Sequence, residues 1–348
     1  MNKAKFISDV PEDRANIIES IKTKKPRIIF VMGDVDTGKS TLVAYLANNL
    51  LHEFKIAIID ADIGQKSILP PATISLAFPE RRFGSFSELT PKKSYFIGST
   101  TPNQFFGEAV VGLKRLVDLA LRRAEIVVVD LTGYVRGAGE ELKRLKIEAI
   151  HPDMILALQR EGELENILAP FKDRIEIINA EISEKVKRYD LKQRKKIRQE
   201  KWEKYFENSK IYTINLNDYR ISGTRLFKGK VLGEEEIEVL RKLFGWVILY
   251  GEKNDKYVVV KGGPGQRRDM IHAIDFEKFS NLLVGFIDGE GFCPGVGILK
   301  WISFRERKAE ILTPLKEEEL GQVEEIRFGR IKVKEDGEEL GLLGRDAI

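Results

Sequence analysis

The chain has 348 residues, of which 43% are hydrophobic and 32% charged, and its formal net charge is +4. This length predicts two or three domains, and the apolar fraction excludes a wholly disordered chain. No apolar run approaches the roughly 20 residues of a membrane-spanning helix, and residues 1–7 (MNKAKFI) lack the apolar core of a secretory signal. The lone cysteine, Cys293, excludes an internal disulfide framework and a cysteine-cluster metal site. We therefore predict a soluble, cytoplasmic protein without a membrane partner.

Short apolar runs alternate with helical segments in the first half of the chain. The predicted strands are residues 27–32, 55–60, 125–130, 154–158 and 174–179. The predicted helices are residues 40–51, 106–122 and 161–171. This alternation predicts a mainly parallel sheet covered by helices on both faces, with ligands at the carboxyl ends of the strands.

The later part of the chain follows a different pattern. Residues 184–208 form a strongly basic segment with helical spacing and three aromatic residues near its end. From about residue 236, short strands alternate with glycine-rich turns, which predicts a β-rich domain. Its predicted strands are residues 246–250, 257–261, 282–287, 297–303 and 308–312.

Residues 33–41 read GDVDTGKST and match the phosphate-binding pattern G-x-x-x-x-G-K-S between a predicted strand and a predicted helix. Glycines let such a loop curl so that its backbone N–H groups surround phosphate oxygens, and the helix N-terminus adds partial positive charge. The pattern predicts binding of a nucleoside triphosphate, with a lysine on the β- and γ-phosphates and a serine on Mg²⁺. The predicted nucleotide-binding residues are Gly33, Asp36, Thr37, Gly38, Lys39, Ser40 and Thr41.

This motif predicts the fold class. We expect a P-loop NTPase domain with a three-layer α/β/α architecture over residues 1–235, including the basic segment 184–208. A smaller β-rich C-terminal domain is expected over residues 236–348.

The next predicted strand ends in DADIGQ, residues 60–65. Asp60 and Asp62 are two residues apart on an extended segment, so their side chains point the same way and can face Mg²⁺ and the γ-phosphate. No N-K-x-D occurs, which removes the usual guanine-reading element of GTPases and leaves transfer to an acceptor or ATP hydrolysis. No pattern reads as an adenine-specific pocket, so nucleoside triphosphates other than ATP stay open as substrates.

Taken together, these motifs resemble the Clp/Grc-type polynucleotide 5′-hydroxyl kinases of RNA 3′-end formation, ribosomal RNA processing and tRNA splicing. The family's G-x-x-D-x-G-K-S-T falls on residues 33–41 and its D-x-D-x-G-Q on residues 60–65. DLTGYVRGAG (130–139) resembles its N-T-x-G-W-V-K-G-x-G segment, and residues 281–299, 311–314 and 328–333 resemble its β-domain. Since only about 25 residues precede the first predicted strand, we expect a short form without the large N-terminal domain of eukaryotic members.

The resemblance implies a role for each matching residue in the phosphate site. Lys39 would bind and activate the transferred phosphoryl group, while Ser40 and Asp60 would hold Mg²⁺. Asp62 would accept the proton of the attacking 5′-hydroxyl, and Gln65 would lie near the metal or the substrate end.

The basic segment resembles the family's arginine-bearing lid, with Arg194 and Arg198 one helical turn apart. Closing over the phosphates, these arginines would stabilise charge on the transferring group. Considered without the family, the segment fits a solvated charged helix equally well.

At the segment 130–136 the chain departs from the family, because Asp130, Leu131 and Tyr134 stand where the family has Asn, Thr and Trp. Tyr134 can still stack on the terminal base of the substrate. The predicted substrate-binding residues are Gln65, Thr132, Gly133, Tyr134 and Arg136.

The resulting prediction is an ATP- and Mg²⁺-dependent kinase acting on single-stranded RNA or DNA 5′-hydroxyl ends, with RNA-processing proteins as further partners. A non-catalytic ATP-binding scaffold and a P-loop ATPase switch are the alternatives. The combined presence of Lys39, Ser40, Asp62, Arg194 and Arg198 argues against the scaffold. The switch ATPases usually carry a second lysine near the start of the loop, and residues 33–37 contain none.

Overall fold

The computed structural model describes residues 10–263, 267, 268 and 270–348. Residues 1–7, on which the argument against a secretory signal depends, lie outside this range. In the described residues the helices are α1 (Asp13–Lys24), α2 (Lys39–Leu50), α3 (Phe106–Ala120), α4 (Ala138–Ile150), α5 (Glu165–Leu168), α6 (Leu191–Phe206), α7 (Glu234–Phe244) and α8 (Glu317–Leu320).

The strands alternate with these helices early in the chain and dominate later. They are β1 (Ile28–Gly33), β2 (Ile56–Ala61), β3 (Thr73–Ala77), β4 (Lys93–Phe96), β5 (Ile126–Leu131), β6 (Met154–Leu158), β7 (Glu176–Asn179), β8 (Lys210–Asn215), β9 (Arg220–Ser222), β10 (Lys230–Val231), β11 (Ile248–Lys253), β12 (Tyr257–Lys261), β13 (Arg267–Arg268), β14 (Ile271–Asp275), β15 (Leu282–Asp288), β16 (Gly295–Ser303), β17 (Lys308–Thr313), β18 (Val323–Val333) and β19 (Glu339–Leu342).

Contacts divide the chain into two compact units, with the boundary between Lys201 and Trp202 inside α6. The sequence predicted the boundary at 235/236 instead. The structure differs because β8 pairs with β17, with Lys210 opposite Thr313, and so belongs to the sheet of the second unit.

In the first unit a seven-stranded sheet has the order β4-β3-β2-β5-β1-β6-β7. The five strands from β2 to β7 in this order run parallel, whereas β3 is antiparallel to β2 and to β4. The segments that became β3 and β4 were not predicted as strands.

The central strands are buried on both faces. Every residue of β1, β2, β5 and β6 is buried, as expected for parallel strands covered by helices on two sides. Apolar residues of α1 and α2 join one face in a single core that includes Ile17, Leu46 and Val128. This arrangement confirms the predicted three-layer α/β fold.

Two sheets are formed by the residues of the second unit that the structure describes. A five-stranded sheet has the order β10-β11-β12-β14-β13, and the other has the order β19-β18-β15-β16-β17-β8, with β9 paired to β18. The buried residues around Phe286 and Phe304 form one core of this unit, and those around Ile237 and Val259 form a smaller one. The prediction of a β-rich C-terminal region is confirmed.

Within the described ranges, no helix combines the length and the apolar character needed to cross a bilayer.

Candidate active site

The phosphate-binding pattern forms a tightly curled loop between β1 and α2. Asp36 (φ +54°) and Gly38 (φ +87°) both have left-handed backbone conformations, which reverse the chain direction. A Cβ on Gly33 would lie 2.6 Å from the carbonyl oxygen of Leu158, so only glycine fits at the start of the loop. The loop therefore has the geometry that its glycine pattern predicted.

Two side chains hold this loop from inside. The Lys39 ammonium donates to the carbonyl oxygen of Asp34 at 2.7 Å, and the Thr37 hydroxyl donates to the same oxygen at 2.9 Å. Lys39 is 7% exposed, and burial lowers the pKa of its ammonium, against the opposing effect of nearby carboxylates. Thr41 is half-buried in the first turn of α2. Lys39 is thus held within the loop at the helix N-terminus, where a phosphate would bind.

Ser40, the predicted metal ligand on α2, contacts a carboxylate from β5. Its hydroxyl donates to Oδ2 of Asp130 at 2.5 Å. Asp130 is 2% exposed, and its Oδ1 is buried with no hydrogen-bond partner among the described residues. Burial, and then the charge of Asp60, raise the pKa of Asp130 to about 7. A divalent cation would supply the missing partner and the missing charge, so this pair fits Mg²⁺.

Asp60 has a different environment from the one that the sequence predicted for a metal ligand. Its Oδ2 accepts N–H bonds from Ser67 and Ile68, both at 2.8 Å, and its Oδ1 accepts from Asp62 at 3.2 Å. The buried ammonium of Lys66 lies 3.6 Å from Oδ2. Because its oxygens already have these partners, Asp60 fixes the loop after β2, and the carboxylate beside Ser40 is that of Asp130.

Asp62 lies in the loop that Asp60 holds. Its Oδ1 accepts N–H bonds from Gly64 at 3.0 Å and from Gln65 at 2.9 Å, and the residue is half-buried. Lys39 and Asp62 interact electrostatically. The carboxylate predicted to accept a proton therefore lies near Lys39, the lysine predicted to bind phosphate, and Gln65 is three residues further along the same loop.

The predicted substrate segment adjoins the phosphate loop. A Cβ on Gly133 would lie 2.7 Å from the backbone nitrogen of Val35, so the two loops are in contact. Thr132 is 7% exposed, and its Oγ1 accepts the N–H of Tyr134 at 3.4 Å. Tyr134 is half-exposed. Arg136 is mostly exposed, and its Nε lies 3.3 Å from Oδ2 of Asp34.

The basic segment reaches the phosphate loop. Arg194 donates to Oδ2 of Asp36 at 2.6 Å, and the N–H of Tyr189 donates to the same oxygen at 2.9 Å. Arg198 is half-buried one turn further along α6. The structure therefore brings this segment and the loop together, which a freely solvated helix would not require.

Three charged residues that sequence reasoning did not assign to the site also contact it. The Lys201 ammonium donates to the carbonyl oxygen of Gln65 at 2.9 Å, and Arg160 donates to the carbonyl oxygen of Asp36. Asp130 is the third, and its position after the apolar run 126–129, at the end of a central strand, was a signal that could have identified it. Lys201 and Arg160 carried no such signal, because their contacts depend on tertiary folding.

In the described parts of the chain, no three or more His, Cys, Asp or Glu side chains are arranged as a metal-binding group. A Mg²⁺ site in a P-loop protein needs fewer protein ligands, because phosphates and water complete its coordination. The pair of Ser40 and Asp130 meets this lower requirement.

Comparison with known proteins identifies the family. A family model described as "mRNA cleavage and polyadenylation factor CLP1 P-loop" matches residues 33–208, which contain the whole constellation described above. The chain belongs to this family. It is 52% identical, over its full length and 99% of the relative, to a Pyrococcus abyssi protein named polyribonucleotide 5′-hydroxyl-kinase. A Methanocaldococcus jannaschii protein of the same name is 50% identical over all of this chain and 99% of its own.

More distant relatives match a part of the chain. A Yarrowia lipolytica protein named polynucleotide 5′-hydroxyl-kinase GRC3 is 25% identical over 46% of this chain and 29% of its own length. Among solved structures, a Clp1p–Pcf11p complex has a chain with a TM-score of 0.58 and 13% identity, covering 92% of this chain and 79% of that one. This last likeness concerns the fold alone. The resemblance to the kinase family is confirmed.

Proposed function

We propose that this CLP1-family chain is a polynucleotide 5′-hydroxyl kinase that transfers the γ-phosphate of ATP to the 5′-hydroxyl end of RNA. The observation that carries the proposal is the juxtaposition of Lys39 and Asp62, a phosphate-binding lysine and a carboxylate within one electrostatic cluster. Full-length relatives at about 50% identity that are named for this activity support it.

The nucleotide binds to the loop between β1 and α2 in this proposal. Backbone N–H groups of Gly33 to Thr41 cradle the phosphates, and the Lys39 ammonium exchanges its bond to the Asp34 carbonyl for bonds to the transferred phosphoryl group. Because Lys39 is buried, its charge acts in a medium of low dielectric, where it stabilises negative charge more strongly than in water.

Ser40 and Asp130 would hold Mg²⁺ beside the bound phosphates. The ion would neutralise charge on the β- and γ-phosphates when bound. Asp60 supports this arrangement by fixing the loop that carries Asp62.

The acceptor end binds at the segment 132–136 next to the phosphate loop. Tyr134 offers a half-exposed aromatic face on which a terminal base of any kind can stack. The Asp62 carboxylate accepts the proton of the 5′-hydroxyl as the oxygen attacks the γ-phosphorus, and the bond from this phosphorus to the bridging oxygen breaks. Gln65, Thr132 and Gly133 position the acceptor, with Arg136 at the exposed edge.

The basic segment acts as a lid over the nucleotide. Arg194 is anchored to Asp36 of the loop, and Arg198 follows one turn later on α6. Their guanidinium groups would stabilise the charge that develops on the transferring group.

A labelling assay tests the proposal. The protein is incubated with γ-labelled ATP, Mg²⁺ and a single-stranded 5′-hydroxyl RNA oligonucleotide, with the 5′-phosphorylated form as the acceptor control and a DNA strand of equal sequence as a second acceptor. We expect label on the 5′-hydroxyl RNA, lost in Lys39→Ala and Asp62→Asn. Asp118→Asn, on the exposed side of α3 where Asp118 pairs with Lys114, is the matched control and should keep the label.

Two results would contradict the kinase. Phosphate release without label on any oligonucleotide would indicate an ATPase switch. Tight ATP binding with neither label nor phosphate release would indicate a scaffold.

A further inference from the structure

Two lysines of α4 lie fully inside the first compact unit. Lys143 is 0% exposed and Lys146 is 1% exposed, and a spacing of three residues places them on one helix face. The rest of that buried face is apolar, with Leu142, Ile147 and Ile150. Burying an ammonium group is costly unless an opposite charge or a full set of acceptors compensates. These two side chains therefore need a partner.

The partners within the chain are few. The Lys143 ammonium donates to the carbonyl oxygen of Thr132 at 2.5 Å. Lys146 makes no hydrogen bond or ion pair with any residue that the structure describes, and Asp62 is the carboxylate with which it interacts electrostatically. Burial lowers the pKa of Lys146 to about 8, and burial followed by the charge of Lys146 lowers the pKa of Lys143 well below its usual range.

The three cations of this cluster are not equally compensated. Lys143 interacts electrostatically with Lys146 and Lys39, and Asp62 and Asp130 oppose this repulsion. Asp34 and Asp36 further offset the charge of Lys39, whereas Asp62 is the carboxylate that acts on Lys146. An anionic ligand would supply the hydrogen-bond acceptor that Lys146 lacks among the described residues. Burial does not prevent such a role, because Lys39, the phosphate-binding lysine of the loop motif, is itself 7% exposed.

The position of the two lysines indicates which anion this is. Helix α4 begins directly after the proposed acceptor segment, and a Cβ on Gly139 would lie 2.5 Å from the carbonyl oxygen of Tyr134. Lys143 holds the carbonyl of Thr132 in that same segment. Lys146 interacts with Asp62, the proposed acceptor of the hydroxyl proton. The two ammonium groups thus serve the acceptor side of the reaction, whereas the loop and Lys39 serve the nucleotide.

We infer that Lys143 and Lys146 form a binding site for a phosphate group of the acceptor strand. This inference rests on the proposed kinase function. Two phosphates share this chemistry: the first internucleotide phosphodiester, one nucleotide from the reacting 5′-hydroxyl, and the 5′-monophosphate of the product. Either group would offer negatively charged acceptor oxygens to both ammonium groups, and would raise their pKa on binding.

The test combines variants with a neutral backbone analogue. Lys143→Met and Lys146→Met keep an unbranched apolar side chain and remove the charge. Arg144→Met is the matched control, because Arg144 lies on the exposed face of α4 and pairs with Glu141. Each protein phosphorylates two 5′-hydroxyl RNA oligonucleotides, one natural and one with a methylphosphonate at its first linkage. A 5′-phosphorylated oligonucleotide serves as a competitive inhibitor.

The expected result is specific to charge recognition. The neutral linkage should raise the KM of the wild-type protein for RNA about 10- to 100-fold, as expected for loss of a charged hydrogen bond. Lys146→Met should raise the KM for natural RNA by a similar factor. In this variant the KM should differ little between the natural and the neutral oligonucleotide, and the KM for ATP should stay within about twofold of the wild-type value. If the product phosphate is the ligand, the methylphosphonate has no effect and Lys146→Met instead weakens inhibition by the 5′-phosphorylated strand.

Several results would overturn the inference. Equal losses on both oligonucleotides together with a raised KM for ATP would indicate a structural role for the two lysines, and unchanged kinetics would exclude a role in binding. If the variants do not fold, the test uses the wild-type protein alone. The site is contradicted if the neutral linkage leaves the KM for RNA unchanged and if a 5′-phosphate on the inhibitor leaves its inhibition unchanged. Absence of label with wild-type protein and natural RNA contradicts the kinase function itself, which separates the two failures.

Discussion

The hydroxyl of Ser40 donates to Oδ2 of Asp130 at 2.5 Å, which joins the first turn of α2 to the carboxyl end of β5. The other carboxylate oxygen, Oδ1, is buried and has no partner in the described chain. A buried carboxylate with one open oxygen is unfavourable in the absence of a ligand. The site therefore carries a local cost that Mg²⁺ and nucleotide binding would offset.

This relationship predicts the behaviour of Asp130→Asn. The amide keeps an acceptor for Ser40 but supplies no negative charge to a cation, so we expect the Mg²⁺ concentration for half-maximal label transfer to rise about 10- to 100-fold. The nucleotide-free variant should be at least as stable as the wild-type protein in thermal unfolding, because the buried charge is removed.

The matched control for this change is Asp60→Asn. Asp60 accepts three backbone N–H bonds and neighbours Lys66, so its variant should unfold at lower temperature. If the Mg²⁺ concentration for half-maximal label transfer rose more in Asp60→Asn than in Asp130→Asn, the assignment of Asp130 as the carboxylate that would hold Mg²⁺ would be contradicted.

The contact between Arg194 and Asp36 predicts how the basic segment 184–208 responds to a change in the loop between β1 and α2. Asp36→Asn tolerates the left-handed conformation and keeps an acceptor for the N–H of Tyr189, but it loses the charge pair with Arg194. In the absence of nucleotide, we expect trypsin to cleave the lysine- and arginine-rich segment 185–201 of this variant about fivefold faster than that of the wild-type protein. This factor corresponds to the loss of a half-buried ion pair that contributes about 1 kcal/mol.

Asp34→Asn is the control for this experiment, since Asp34 lies in the same loop and pairs with Arg136 rather than with the basic segment. Equal acceleration of cleavage in both variants would show that the loop, and not the ion pair between Arg194 and Asp36, determines how well the basic segment is ordered.

The elements that sequence could predict are those whose signal is local. The phosphate loop, its flanking strand and helix, and strand β6 follow from short patterns of glycine and apolar residues. Strands β3 and β4 were missed because they are only five and four residues long, TISLA and KSYF, and neither contains a long apolar run. In the site, Asp60 and Asp130 end adjacent strands in the same register, so sequence alone could not tell which carboxylate faces Ser40.

Tyr134 should bind the terminal base of the acceptor. Its removal in Tyr134→Ala should raise the KM for RNA about 5- to 150-fold, in line with the usual value of base stacking on an aromatic side chain, and should change the KM for ATP far less. Tyr134→Trp should retain activity, because the larger ring still offers a stacking face. Steady-state kinetics with each substrate varied in turn measures both constants, and equal effects on RNA and ATP in Tyr134→Ala would reject the role.

The close approach of Gly133 to the phosphate loop predicts a different pattern. In Gly133→Ala the new Cβ would lie 2.7 Å from the backbone nitrogen of Val35, and backbone cannot move aside as a flexible side chain can. We expect the ATP dissociation constant and the KM for RNA to rise together, with a loss of unfolding free energy of about 1–3 kcal/mol.

Gly107→Ala offers the control, since a Cβ on Gly107 of α3 meets no atom within 4 Å. If Gly133→Ala raised the KM for RNA but left the ATP dissociation constant unchanged, the contact with the phosphate loop would not determine the position of the segment 132–136.

The buried ammonium of Lys146 predicts a pH-dependent change in stability for the ligand-free protein. Burial lowers its pKa from 10.5 to about 8, opposed by the charge of Asp62, so the folded state binds fewer protons than the unfolded state between these two values. Stability of the wild-type protein at this site therefore rises as the pH increases from about 8 to 10.5, and the full penalty is present below pH 8. Lys146→Met removes the penalty and should raise the free energy of unfolding by up to about 3 kcal/mol at pH 7, but by much less near pH 10. Denaturant unfolding at the two pH values, with Arg144→Met as the exposed control, measures the difference. A gain in Lys146→Met that stayed constant or grew with pH would contradict the buried charge.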